Sequence, residues 1–269
     1  MSIISITSDY GNKDFTKGYL KGLLHSQLEN PIIVDISHEV SPFNILEASY
    51  IIKNSYKSFP RGTIHIIDVD ADKTPEQELI VALFDEHYFV TANNGILSLI
   101  SEELRPNKVI AITFEGNKFD VFSKVASHVH RGGNINLVGN EINKLKELKD
   151  LKIRIKSENQ ILGNVIYIDN YGNIVTNISK RVFEEYRKDR NFSINARSII
   201  FDNIYNSYTE AINFNKEKIY REEEGKKIAI FNKAGYLELG VYKSNPSTVG
   251  SAKTLFGLNY GDTISIIFK

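Results

Sequence analysis

The chain contains no cysteine, which excludes disulfides, thiolate nucleophiles and zinc–thiolate sites. It has no tryptophan and a single methionine, so its aromatic mass rests on 15 Phe and 14 Tyr, which read as core and interface material. Neither charge sign is in excess: 33 Lys plus Arg balance 33 Asp plus Glu. No global field therefore draws the chain to nucleic acid or to an anionic membrane. No apolar run approaches the length of a membrane span. The first residues show no basic stretch followed by an apolar one. The expectation is a cytoplasmic protein with neither nucleic-acid nor membrane partners. Also missing are G-x-G-x-x-G, the P-loop, G-x-S-x-G and H-E-x-x-H. Standard dinucleotide, ATPase, α/β-hydrolase and zincin readings are set aside on that ground.

What is present is a change of pattern along the chain. Ile3-Ile4-Ser5-Ile6, Ile32 to Ile36 and Thr63 to Val69 read as buried strands. Leu79 to Phe84 and His87 to Thr91 read as a hairpin. Between these runs lie helical patterns: Phe15, Tyr19, Leu20, Leu23, Leu24 and Leu28 share one face. A second helix is expected to start at Ser41-Pro42, a short third to run through Ile96, Leu97, Leu99 and Ile100, and a fourth to be capped by Asp120. This alternation predicts an α/β N-terminal domain over 1–155, with a mostly parallel sheet flanked by helices. Lys144, Lys146, Lys149 and Lys152 then alternate with acids in a linker-like stretch. From Gly163 the helical patterns nearly vanish, which predicts a smaller, mostly antiparallel β domain over 163–269.

Three polar stretches stand above the background. Thr7-Ser8-Asp9-Tyr10-Gly11 follows the first strand, and an acid-rich loop starts at Asp70. If the first three strands are parallel, Thr7–Asp9, Asp35–His38 and Asp70–Asp72 share one edge of the sheet, where α/β folds bind ligands. Asp9 there reads either as a ligand for a ribose diol or, with Asp14, as a helix cap. The third stretch, Asp169-Asn170-Tyr171-Gly172-Asn173, offers an amide and an aromatic ring on a hairpin that could read a flat heterocycle. It also reads as a turn that needs Gly and Asn for positive φ. His65, within Ile64-His65-Ile66, reads as a side chain packed beside a sheet, and His128 and His130 fall on different faces of a helix, which argues against a shared metal.

Taken together, these stretches resemble the S-adenosylmethionine hydroxide adenosyltransferases and their relatives, the fluorinases and chlorinases. The resemblance spans nearly the full length. It rests on Thr7-Ser8-Asp9-Tyr10-Gly11, Ile33 to His38, Pro60 to His65, Asn93-Asn94-Gly95, Tyr167 to Asn173 and Gly235-Tyr236-Leu237-Glu238. It implies a homotrimer acting on a small adenosyl substrate without a cofactor, the ligand lying between domains of neighbouring subunits. Asp9 matches the carboxylate for the ribose hydroxyls, Phe43 a position beside the ribose, and Tyr171 and Asn173 the adenine-binding pair. Asn232 and Tyr236 match positions that hold the methionine and adenine ends. The implied reaction is hydrolysis of S-adenosylmethionine to adenosine and methionine.

The chain departs from the family pattern around the acidic loop. The family Asp is kept as Asp70, the expected catalytic residue, but Asp72 and Thr74 replace glycines. Gln77 stands at an Arg position and Asn117 at a His position. Asp70 beside Asp72 makes a field hostile to halide, which disfavours halogenation. Lys73 is the cation within the loop and is expected to substitute in part for the Arg. The alternative reading is a non-catalytic protein that binds adenosine or S-adenosylmethionine.

Overall fold

The computed structural model describes residues 2–101, 106–148, 152–221, 223 and 225–269. Lys149 of the linker-like stretch lies outside them. The chain divides into two compact units, Met1–Leu148 and Lys149–Lys269.

The first unit runs β1 (Ile4–Ser8), α1 (Thr16–Gln27), β2 (Ile33–Ser37), α2 (Ile45–Ser55), β3 (Ile64–Asp68), β4 (Leu79–Phe84), β5 (His87–Ala92), α3 (Ile96–Ser101), β6 (Lys108–Ile112), α4 (Lys118–His130) and β7 (Gly139–Glu141). Its seven strands form one mixed sheet in the order β2-β1-β3-β5-β4-β6-β7. β2, β1, β3 and β5 are parallel neighbours, and β4, β6 and β7 extend the sheet antiparallel. All five residues of β1 and of β3 are buried, as expected of strands covered on both faces. One face packs Ile4, Ile6, Ile64 and Ile66 with Leu20 and Leu24 of α1 and Phe122 and Val125 of α4. The other packs Ile67, Val69 and Phe89 with Ala48 and Ile52 of α2.

Two helix starts differ from expectation. α2 begins at Ile45 behind the cap Asn44, not at Ser41-Pro42, because Phe43 adopts φ 61°, outside the helical region. The Asn44 side chain accepts the Glu47 N–H at 3.1 Å. α4 is capped by Asn117 rather than Asp120, since Asn117 Oδ1 reaches the N–H groups of both Phe119 and Asp120 at 3.0 Å.

The second unit runs β8 (Arg154–Ser157), β9 (Gln160–Ile168), β10 (Ile174–Ser179), α5 (Lys180–Arg187), β11 (Phe192–Ala196), β12 (Ile199–Phe201), β13 (Lys227–Phe231), β14 (Tyr236–Val241), α6 (Ala252–Phe256) and β15 (Thr263–Phe268). Its strands pair antiparallel in the order β12-β11-β15-β9-β10-β14-β13, with β8 on β9. Ile161, Val165, Ile174, Phe183, Leu237 and Ile264 fill its core. Among the described residues, no helix is long and apolar enough to cross a membrane.

Candidate active site

Because β1, β2 and β3 are parallel neighbours, their carboxyl ends deliver Asp9, Asp35–His38 and Asp70–Asp72 to one edge of the first sheet. Asp9 is half-buried, and its Oδ2 accepts the Phe43 backbone N–H at 2.8 Å. That bond fixes the loop after β2 and leaves the Phe43 ring 70% exposed beside the carboxylate. Asp9 therefore does not cap α1, whose N-terminal flank, Phe15, carries no side-chain cap.

Behind Asp9, the Ser8 hydroxyl lies 2.6 Å from His38 Nδ1, and His38 Nε2 lies 3.2 Å from Asp35 Oδ1. The residue types are those of a nucleophilic triad, yet Ser8 is fully buried and open to no substrate. The chain instead ties the ends of β1 and β2. Burial holds the His38 imidazole below its ordinary value, against the pull of Asp35, so the ring is neutral near pH 7.

Asp70 is exposed, with φ 47°, a left-handed conformation that a non-glycine residue adopts only when its surroundings impose it. Two amides impose it. Gln77 Nε2 donates to the carbonyls of Asp70 at 2.8 Å and Asp72 at 3.0 Å. Asn94 Nδ2 donates to those of Val69 at 3.0 Å and Asp70 at 3.1 Å, while its Oδ1 accepts the Ile96 N–H and caps α3. Gln77 thus shapes the acidic loop through its backbone. Partial burial raises the Asp70 carboxyl above its ordinary value, and the Asp9 and Asp72 carboxylates add to this, against Lys146 and Lys118.

The cation that meets these acids is Lys118. Its Nζ lies 2.8 Å from Asp72 Oδ1 and 3.2 Å from Asp68 Oδ1. Lys73, the loop cation expected to substitute in part for the Arg, is exposed, and among the described residues it forms no ion pair with either acid. Asp68 is fully buried, and its oxygens have no partner with hydrogen-bond geometry, so charge attraction ties it to Lys118. Burial pushes its carboxyl up to about 7 despite that cation. Among the described residues, no group of His, Asp or Glu side chains is arranged to hold a metal ion.

In the second unit, the β9–β10 turn is built by Asp169. Its Oδ1 accepts the N–H groups of Tyr171 at 2.9 Å and Asn173 at 2.8 Å. Its Oδ2 accepts Asn173 Nδ2 at 2.9 Å, which fixes the direction of the Asn173 amide, because an ionised carboxylate only accepts. Asn173 Oδ1 is then a buried acceptor without a partner. A Cβ at Gly240 would lie 2.3 Å from Tyr208 Oη and 2.7 Å from that oxygen, so the glycine makes room for both. The Tyr171 ring is 64% exposed. Asn232 Oδ1 accepts the Ala234 N–H at 3.0 Å and the Tyr236 N–H at 3.2 Å, and Nδ2 donates to Glu238 at 3.0 Å. Tyr208 Oη donates to the other Glu238 oxygen at 2.6 Å, and burial raises its phenol well above the usual range.

The structure thus groups Asp9, Phe43 and Asp70 in the first unit, and Tyr171 with Asn173 and Asn232 with Tyr236 in the second. Sequence reasoning missed Asn94, Lys118, Asp169, Tyr208 and Glu238 as shaping residues. Asn94, Asp169 and Glu238 carried a signal, as polar residues within Gly-containing motifs, whereas Lys118 and Tyr208 carried none.

Models of the SAM (S-adenosylmethionine) hydroxide adenosyltransferase N-terminal and C-terminal domains match residues 4–139 and 163–265. The chain belongs to this family. It is 27% identical over 283 residues to the (R)-S-adenosyl-L-methionine hydrolase of Methanocaldococcus jannaschii, covering 100% of this chain and 97% of that protein. The protein of the same name from Thermus thermophilus is 22% identical, with 99% of this chain and 100% of that one covered. A fluorinase of Actinopolyspora mzabensis matches over only 62 residues at 34% identity, 23% of this chain and 21% of that one. The crystal structure of an uncharacterized conserved protein from Thermotoga maritima shares the fold, with a TM-score of 0.82 at 24% identity over 98% of this chain and 100% of that one.

Proposed function

We propose that the protein hydrolyses S-adenosyl-L-methionine at the ribose C5′ carbon, giving adenosine and L-methionine. The observation that carries this reading is the pair of strand-end carboxylates, Asp9 and Asp70, on one sheet edge of a chain that matches the family over both domains. Asp9 binds the ribose hydroxyls, and the exposed Phe43 ring lies along the sugar. Tyr171 stacks on adenine. The unpartnered Asn173 Oδ1 accepts a hydrogen bond from the exocyclic amine, which supplies the donor that this buried oxygen lacks. Tyr236, whose N–H is held by Asn232, contacts the ligand from the start of β14.

In the reaction, a water oxygen forms a bond to C5′ as the carbon–sulfur bond breaks, and the electron pair goes to sulfur. Methionine leaves as a neutral thioether and needs no proton. Asp70 takes the proton that the water loses, and its raised proton affinity suits it to that transfer. No cofactor takes part. Much of the rate comes from holding the water in line with the breaking bond. A homotrimer and a cytoplasmic location belong to the same proposal. The purely binding alternative is not favoured, since both full-length relatives carry a hydrolase name.

The test is to incubate purified protein with S-adenosylmethionine and follow adenosine and methionine by chromatography. Turnover above the spontaneous rate, lost in Asp70→Asn, is the expected result. Tight binding without turnover would sink the reading, and light scattering checks the trimer.

A further inference from the structure

At the ligand edge of the first sheet, four carboxylates arrive from separate places. Asp9 follows β1, Asp68 ends β3, and Asp70 and Asp72 lie in the loop beyond. Against them stands Lys118, the first residue of α4, whose side chain is 18% exposed. Its ammonium lies 5.5 Å from the Tyr10 ring centre and 5.4 Å from that of Phe119, so two aromatic faces confine it. A lysine so placed loses hydration and rotamer freedom, and the ion pairs with Asp68 and Asp72 offset that loss.

We infer that Lys118 is a positioning residue for the proposed hydrolysis: by occupying Asp68 and Asp72, it leaves Asp70 as the loop carboxylate that receives the proton of the attacking water. The inference rests on the hydrolase reading. The charged groups facing Asp70 are Asp9, Lys146, Asp72 and Lys118, and those facing Asp68 are Lys118, Asp9 and Asp72. Without Lys118, the Asp72 charge acts on Asp70 uncompensated and favours its protonated form. A protonated Asp70 accepts no proton, so the acid limb of the rate profile moves to higher pH.

The test compares wild type, Lys118→Met, Lys118→Arg and Asp72→Asn. The Asp70 carboxyl is titrated by carbon-13 NMR, with Asp70→Asn assigning its signal, and the pH profile of S-adenosylmethionine hydrolysis is measured alongside. In Lys118→Met, the Asp70 midpoint and the acid limb rise together by about half a pH unit or more, and Lys118→Arg returns both to the wild-type values. Asp72→Asn, a change at a side chain 74% exposed, lowers the midpoint and keeps the test decisive should Lys118→Met fold poorly. An Asp70 midpoint unmoved in Lys118→Met, or in Asp72→Asn if that variant must decide, overturns the inference. So does an acid limb that stays fixed while the midpoint moves. Wild-type protein without turnover is a separate failure: it removes the hydrolase reading, and the NMR titration still decides whether Lys118 sets the charge of Asp70.

Discussion

Asp9 Oδ2 accepts the Phe43 backbone N–H at 2.8 Å, so one carboxylate at the carboxyl ends of the parallel strands also pins the loop that carries the exposed Phe43 ring. Asp9→Ala removes both roles. Because hydrogen bonds to a charged group are each worth about 1.5–3 kcal/mol, affinity for S-adenosylmethionine should fall by about 10- to 100-fold. Calorimetric titration checks this, and an unchanged affinity would place the ribose elsewhere.

Asn173 donates to Asp169, and its Oδ1 is left as a buried acceptor without a partner. Asn173→Asp places two carboxylates together and replaces the donor. The new acid is then harder to ionise folded than unfolded, so stability is lost as pH rises above the ordinary carboxylate range and returns below it. Thermal unfolding of the variant should fall below wild type at neutral pH and approach it at acid pH. Ligand binding is lost at neutral pH.

Gln77 holds the carbonyls of Asp70 and Asp72. Gln77→Ala frees the loop and the orientation of the Asp70 carboxylate. We expect kcat/KM to drop by about tenfold or more, with the unfolding midpoint nearly unchanged because this amide serves an exposed loop. Steady-state kinetics beside a denaturation curve separate the two effects.

His65 is fully buried between Ser5, at 2.6 Å, and His87, at 3.2 Å, and stacks on Phe89. Burial, with help from His87, pushes its imidazole down to about 3. The unfolded chain therefore binds a proton that the folded chain refuses, from an ordinary value of about 6.5 downward. Its contribution is full above that value and is lost as pH falls toward the folded value. His65→Phe should shrink the difference in unfolding temperature between pH ~7.5 and pH ~4.5, a window set by the same linkage. An unchanged difference would show that another group governs acid sensitivity.

Local pattern alone determined much of this molecule. The period of the apolar residues separated the helix-bearing first unit from the β second unit, and Asp-Asn-Tyr-Gly-Asn marked the turn between β9 and β10. Polar residues after apolar runs picked out Asp9 and Asp70 as strand-end groups. These are properties of a few neighbouring residues, and backbone geometry fixes them. The partners were another matter. Ser5 meets His65 60 residues away and Ser8 meets His38 30 residues away, because β3 and β2 flank β1 in parallel register. Lys118 reaches Asp68 and Asp72 only because α4 starts at the edge where β3 ends, whereas Lys73, their neighbour in sequence, stays exposed. Phe43 turned left-handed and moved the start of α2, a conformation that the Asp9 bond helps to hold. Charge pairing and loop shape depend on which elements become neighbours, and strand order, not local period, decided that.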